Sequence, residues 1–149
     1  MKKLIEQAIK FGAVGGLCFV IDWLIGLVVL NVMGLFGVNK DLATQIAAVS
    51  GFTISVIVNY ILSMKFVFVR KDDMDRKAEF VIFIVLSVIG LGINSLIIWV
   101  CTAPVYENIA FLQAINYNFI YTAAKVIATA VVMVYNFVTR KIFLEKKEQ

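Results

Sequence analysis

Four apolar runs of about twenty residues each divide this chain, and they constrain its fold more than any other feature. They lie at residues 11–33, 43–62, 80–100 and 119–138. A helix of about twenty apolar residues spans the ~30 Å hydrocarbon core of a bilayer. The runs therefore predict an all-α, polytopic membrane protein with four transmembrane helices. The first run is also too long to be the apolar part of a cleavable signal peptide.

The composition excludes several classes of function. Hydrophobic residues make up 62% of the chain and charged residues 16%, whereas about a quarter of the residues in a soluble domain are charged. The chain has no histidine, which excludes His-based catalysis and His-ligated metals. We expect no catalytic residues, no metal and no other cofactor. We also expect no nucleic-acid partner, because the basic residues are placed as a membrane topology requires.

The basic residues predict the orientation. Twelve of the 14 Lys and Arg residues precede the first run, lie between the second and third runs, or follow the fourth. Lys40 alone lies on the other side. The positive-inside rule then places both termini in the cytoplasm. Residues 1–10 are predicted to form a short interfacial helix, and residues 102–118, interrupted by Pro104, are an external segment that either re-enters the membrane or forms a loop.

The two halves of the chain resemble each other. Phe11 is followed eleven residues later by Asp22, and Phe83 is followed at the same distance by Asn94. The second run closes on NYILSMKF and the fourth on NFVTRKIF. Since each half holds two spans, the pattern predicts a parallel two-helix repeat. The chain is predicted to form a single transmembrane domain over residues 1–149. Its first repeat covers residues 1–69, and its second repeat covers residues 78–145.

Two charged residues lie inside the apolar runs. Asp22 is in the first and Lys125 in the fourth, and each costs about 2.5–3.5 kcal/mol at the bilayer centre. They either form a structural ion pair or belong to a functional site. In such a site Lys125 would receive an anionic substrate, and Asp22 would be its counter-ion or a proton carrier.

A polar stripe is predicted on the fourth helix. Thr129 and Asn136 follow Lys125 by four and eleven residues, close to whole helical turns, and the stripe continues to Arg140 at the membrane interface near water. It could guide an anionic head group, or it could serve interhelical hydrogen bonding. The candidate substrate-binding residues are Lys125, Asp22, Asn136, Asn59, Asn94, Thr129 and Arg140. Small and polar residues also recur every four positions in the second run, which favours close helix packing.

Four segments carry a family resemblance that covers nearly the whole chain. They read KFGAVGGLCFVIDW, VNYILSMKFVF, AEFVIFIVLSVIGLGIN and AAKVIATAVVMVYNFVTRKIF. In their order and spacing, they resemble the GtrA-like family of small four-span bacterial membrane proteins.

The resemblance implies a role in decorating cell-surface polysaccharides from the bacterial cytoplasmic membrane. A member would move a polyprenyl-phosphate-linked sugar across the membrane, and an outward-facing membrane glycosyltransferase would use it. Two alternatives stay open, namely a non-transporting assembly subunit of such a glycosyltransferase and a small-solute or proton-coupled transporter. Because four spans enclose little space, we also expect a homo-oligomer, in contact with membrane lipid.

Overall fold

Long α-helices account for most of the chain. The computed structural model describes residues 1–147, and for residues 41, 117 and 118 it describes the backbone alone. The long helices are α1 (Lys2–Leu35), α2 (Lys40–Leu62), α3 (Arg76–Val100) and α6 (Tyr117–Leu144). Two short helices, α4 (Tyr106–Asn108) and α5 (Ala110–Gln113), precede α6. Single π-helical turns, Ser63–Val67 and Cys101–Val105, extend α2 and α3.

Within the described part of the chain, four helical stretches are long and apolar enough to cross a membrane. They are Lys2–Leu35, Leu42–Val67, Arg76–Asn108 and Phe119–Leu144. Each overlaps a predicted run, so the prediction of a multi-pass, all-α membrane protein is confirmed. With 34 residues, α1 is ~51 Å long at ~1.5 Å per residue, well beyond the ~30 Å core. Residues 2–10 are its first turns and not a separate interfacial helix, because they include no glycine or proline to interrupt it.

The third span passes Pro104 without ending, which contradicts the expectation that this proline interrupts the segment. Pro104 lies inside the π-helical turn Cys101–Val105. Proline lacks the N–H that an α-helical turn would use, and single π-helical turns are a known way for a helix to absorb such an irregularity. The helical path therefore continues through α4.

The connection between α1 and α2 is closed by one glycine. Gly37 has φ +69°, a left-handed conformation that glycine adopts without steric cost. The amide of Val38 donates to the carbonyl of Met33, and the amide of Gly37 donates to the carbonyl of Gly34, both at 3.1 Å. These two bonds are the Schellman motif, which caps free carbonyls at the end of a helix.

The helices form two compact units. Unit 1 contains Met1–Asp73 together with the chain end from Glu145, and unit 2 contains Met74–Leu144. In unit 1, α1 packs on α2 through the small-residue positions of α2. Every fourth residue from Ala43 to Ser55 is buried. The predicted packing face therefore meets a helix of the same chain.

In unit 2, α3 packs on α6. The buried face of α6 again recurs in steps of four, including Ala124, Ala128, Arg140 and Leu144. Each of these positions lies 77 residues after a buried position of α2 or of the π-helical turn that follows α2. Ala124 thus corresponds to Ala47, and Arg140 corresponds to Ser63. Buried residues therefore recur with the same spacing on α2 and on α6, and the two-helix repeat stays a prediction.

The chain end is tied to the segment that follows α2. The amide of Lys146 donates to the carbonyl of Val69 at 2.8 Å, and the Lys146 ammonium group forms a salt bridge with Asp72. Gln7 of α1 donates from Nε2 to the carbonyl of Val67 at 2.9 Å and also to Glu145. The hydrogen bond to Asp72, more than its charge, raises the pKa of Lys146.

Candidate functional site

Asp22 lies at the tightest contact between α1 and α2. It is half-buried, and it faces Gly51 of α2. A β-carbon built on Gly51 would lie 2.6 Å from the carbonyl oxygen of Asp22 and would also overlap the carboxylate Oδ1. Only glycine therefore fits at position 51 without moving the two helices apart.

Asn59 is engaged within its own helix. Its Oδ1 accepts a hydrogen bond of 2.8 Å from the hydroxyl of Ser63. Asn94, the counterpart of Asp22 in unit 2, is half-buried in α3. The predicted role of both asparagines in substrate binding stays a prediction.

Lys125 lies on the exposed side of α6. Its ammonium nitrogen is 5.9 Å from the centre of the Tyr121 ring, and Tyr121 is 41% exposed. Thr129 is exposed on the same side, and its hydroxyl donates to the Lys125 carbonyl at 2.7 Å. This cation–π geometry positions the ammonium group weakly and leaves its other side open. We call Tyr121, Lys125 and Thr129 the lysine surface.

The predicted continuous stripe from Lys125 to Asn136 is wrong. Asn136 packs on α3, where its side-chain oxygen lies 3.2 Å from a β-carbon built on Gly90, whereas Lys125 is exposed. The residues of α6 that contact α3 recur every four positions, and we call their path the contact line. At ~3.6 residues per turn, each step of four positions turns this line by ~40° about the helix axis. Lys125 and Asn136 are eleven positions apart and point in nearly the same direction from the helix axis. Because the contact line turns between them, Asn136 meets α3 and Lys125 does not. Asn136 Oδ1 is buried and accepts no hydrogen bond from the described residues.

The expectation that Arg140 lies near water is also wrong. Arg140 is 2% exposed, and its guanidinium carbon is 3.8 Å from the centre of the Phe83 ring. Its Nη2 donates to the hydroxyl of Ser87 at 2.9 Å. The small neighbouring residues of the α3–α6 contact admit the long side chain, and the aromatic face and hydroxyl replace part of its hydration.

Phe83 and Ser87, which contact Arg140, and Glu79, which lies one turn before Phe83 on α3, were not among the predicted site residues. Glu79, Phe83 and Ser87 recur every four positions on α3, and all three are buried, Glu79 to 1% exposure and Phe83 to 0%. We call these three residues with Arg140 the arginine cluster. Phe83 had been noticed only as a marker of the repeat. The sequence signal that could have indicated these residues is their spacing of four positions together with a glutamate at position 79.

The site residues are thus distributed over separate environments. Asp22 and Asn59 belong to unit 1, while the lysine surface and the arginine cluster belong to unit 2. An ion pair between Asp22 and Lys125 stays a prediction. Unit 2 also carries an open apolar groove of about 410 Å³, lined by Val81, Ile82, Val85, Leu86 and Phe143. It offers hydrocarbon contacts and no polar ones, while the lysine surface offers a positive charge.

Comparison with known proteins supports the resemblance seen in the sequence. A family model described as GtrA/DPMS, transmembrane domain, matches residues 10–144. Neither a curated protein nor a solved structure matches the chain. The matched family indicates a membrane protein involved in handling lipid-linked sugars.

Proposed function

Because the chain belongs to the GtrA/DPMS transmembrane domain family, we propose that it moves a polyprenyl-phosphate-linked sugar across the bacterial cytoplasmic membrane. The sugar would serve the decoration of a cell-surface polysaccharide by a membrane glycosyltransferase on the outer side. This activity changes the position of a lipid and none of its bonds, so it needs no catalytic group and no cofactor.

The observation that carries this proposal is the exposed ammonium group of Lys125. It lies within an apolar span, and no carboxylate of the described part of unit 2 is seen to form an ion pair with it. A lone charge in hydrocarbon is costly unless it meets water or an opposite charge. The phosphate of a lipid-linked sugar supplies that opposite charge, and Tyr121 offers a ring on which a sugar can stack.

The apolar groove of unit 2 suits the other part of the same substrate. Its lining is entirely aliphatic or aromatic, and its volume of about 410 Å³ accommodates a few isoprene units. The excess free energy that a prenyl chain gains on moving from lipid into this groove is limited to packing contacts, because lipid tails are as apolar as the groove lining. Since that excess is small, we assign the groove to guidance of the chain and the lysine surface to recognition of the phosphate.

The test is translocation by the purified protein in proteoliposomes. The substrate is a fluorescent short-chain prenyl-phosphate-glucose, and its outward-facing fraction is measured with a membrane-impermeant quencher. Wild type should accelerate the movement over protein-free vesicles. Lys125→Gln should lose ~10- to 100-fold of that rate, because a hydrogen bond to a charged group contributes about 1.5–3 kcal/mol. Lys125→Arg should lose less, since it keeps the charge but presents a planar fork.

The matched control is Lys77→Gln. Lys77 is an exposed lysine at the start of α3, so its substitution makes the same charge change outside the apolar segment and should leave the rate unchanged. Wild-type vesicles that flip no faster than empty ones would exclude translocation by this protein alone and favour an assembly subunit of a glycosyltransferase. A full rate in Lys125→Gln would exclude the phosphate-binding role of Lys125.

A further inference from the structure

The two units carry different residues at matched positions of their helix pairs. In unit 1, Asp22 of α1 faces Gly51 of α2. In the predicted repeat, Asp22 of α1 corresponds to Asn94 of α3. Gly51 of α2 corresponds to Ala128 of α6, which is buried. An asparagine side chain has nearly the shape of a protonated aspartic acid and carries no charge. The predicted repeat therefore places a neutral side chain of nearly the same shape at the position in unit 2 that corresponds to Asp22.

The described part of unit 1 shows no charge that compensates the Asp22 carboxylate. Among the described residues of that unit, no hydrogen bond or ion pair is seen at its side chain. On α2 the nearest ionisable residues are Tyr60, Asp41 and Lys40, which lie nine to eleven positions from Gly51. The π-helical turn that follows α2 also packs on α1, and its Lys65 lies fourteen positions away.

From this geometry we propose that Asp22 is a reversible proton-binding site at the α1–α2 crossing. The carboxylate oxygen takes a proton from water at one membrane surface, becomes a neutral carboxylic acid, and packs on Gly51. On release of the proton to water at the other surface, the ionised oxygen leaves the apolar contact with Gly51 to regain hydration. Asp22 is only half-buried, so its side chain is not sealed between α1 and α2.

Proton binding at Asp22 would affect the packing of α1 on α2, because Asp22 lies against Gly51. The contact at Gly51 is so close that a single added carbon would overlap both the carbonyl and the carboxylate of Asp22. Movement of the carboxylate on ionisation would therefore change the packing at the point where the two helices meet. Coupling of this change to lipid translocation rests on the proposed function, whereas proton binding does not. Under the coupling, the proton gradient is the energy source for the movement of the lipid-linked sugar.

Infrared spectroscopy of the protein in lipid tests the proton site directly. Wild type should show a protonated-carboxyl band that persists at pH values where exposed carboxylates are ionised and disappears reversibly as the pH is raised further, and Asp22→Asn should lack that band. The control is Asp73→Asn, which removes an exposed carboxylate of the loop after α2 and should keep the band. Persistence of this band in Asp22→Asn, or its absence from wild type, would overturn the proton site. Because asparagine nearly keeps the shape of aspartic acid, the variant is expected to fold.

Proteoliposomes with a pH gradient test the coupling. Wild type should flip the fluorescent lipid several-fold faster with the gradient than without it, and Asp22→Asn should flip at one rate in both conditions. Flipping by wild type that ignores the gradient would refute the coupling and leave the proposed function intact. If wild type does not flip at all, the proposed function fails, and the infrared result still decides the proton site.

Discussion

Arg140 provides the most demanding test of the structure, because it is buried where the sequence suggested an interfacial position. We expect Arg140→Met to destabilise the fold strongly. A desolvated contact between a guanidinium group and an aromatic face contributes about 2 kcal/mol, and a hydrogen bond from a charged donor contributes about 1.5–3 kcal/mol. Loss of the contacts with Phe83 and Ser87 therefore predicts a decrease of about 3.5–5 kcal/mol in the free energy of unfolding.

The burial of Arg140 is the reason that its loss is costly. Arg140 is 2% exposed, so in the variant the Ser87 hydroxyl loses its charged partner away from water. Arg140→Lys should recover part of the loss, since lysine keeps the charge but cannot both stack as a plane and donate sideways. Methionine nearly preserves the volume, so a packing defect contributes little.

The measurement is unfolding of the purified protein in mixed micelles with increasing sodium dodecyl sulfate, followed by near-ultraviolet circular dichroism. Lys77→Met is the matched control, because it removes the same charge from an exposed position at the start of α3 and should change the free energy of unfolding by less than about 0.5 kcal/mol. Equal stability of Arg140→Met and Lys77→Met would refute the arginine cluster as a stabilising element. It would restore an interfacial role for Arg140.

Three other predictions concern unit 1 and the topology. Gly51→Ala should separate α1 from α2 at Asp22 and lower stability, which the same unfolding assay measures; an unchanged midpoint would contradict the close contact. Asp72→Asn should mobilise the chain end, read from a spin label at position 147. In wild type the salt bridge should hold below pH 10.5, the unperturbed value for Lys146, and fail as the pH rises through its raised pKa; a label equally mobile throughout would contradict it. Finally, a reporter between α1 and α2 should lie outside the cell and one between α2 and α3 inside, and the reverse would refute the predicted orientation.

The helices and their packing faces could be predicted from the sequence because their signals are local. Runs of about twenty apolar residues specify spans in a solvent that provides no hydrogen bonds, and small residues every four positions specify where two backbones approach. Phe11 and Phe83, which the predicted repeat places at matched positions, are both buried, and the repeat itself stays a prediction. None of these features depends on which helix meets which.

The environment of each polar residue was decided only by the tertiary structure. Lys125, Asn136 and Arg140 seemed to share one stripe because a straight helix places them at similar angles. The contact with α3 instead winds around α6, so it buries Arg140 and the Oδ1 atom of Asn136 and leaves Lys125 exposed. The sequence by itself determined that these charges lie within or beside a membrane span. Whether a charge faces a helix or the surroundings depends on the crossing of two helices far apart in the chain, and no local periodicity encodes that crossing.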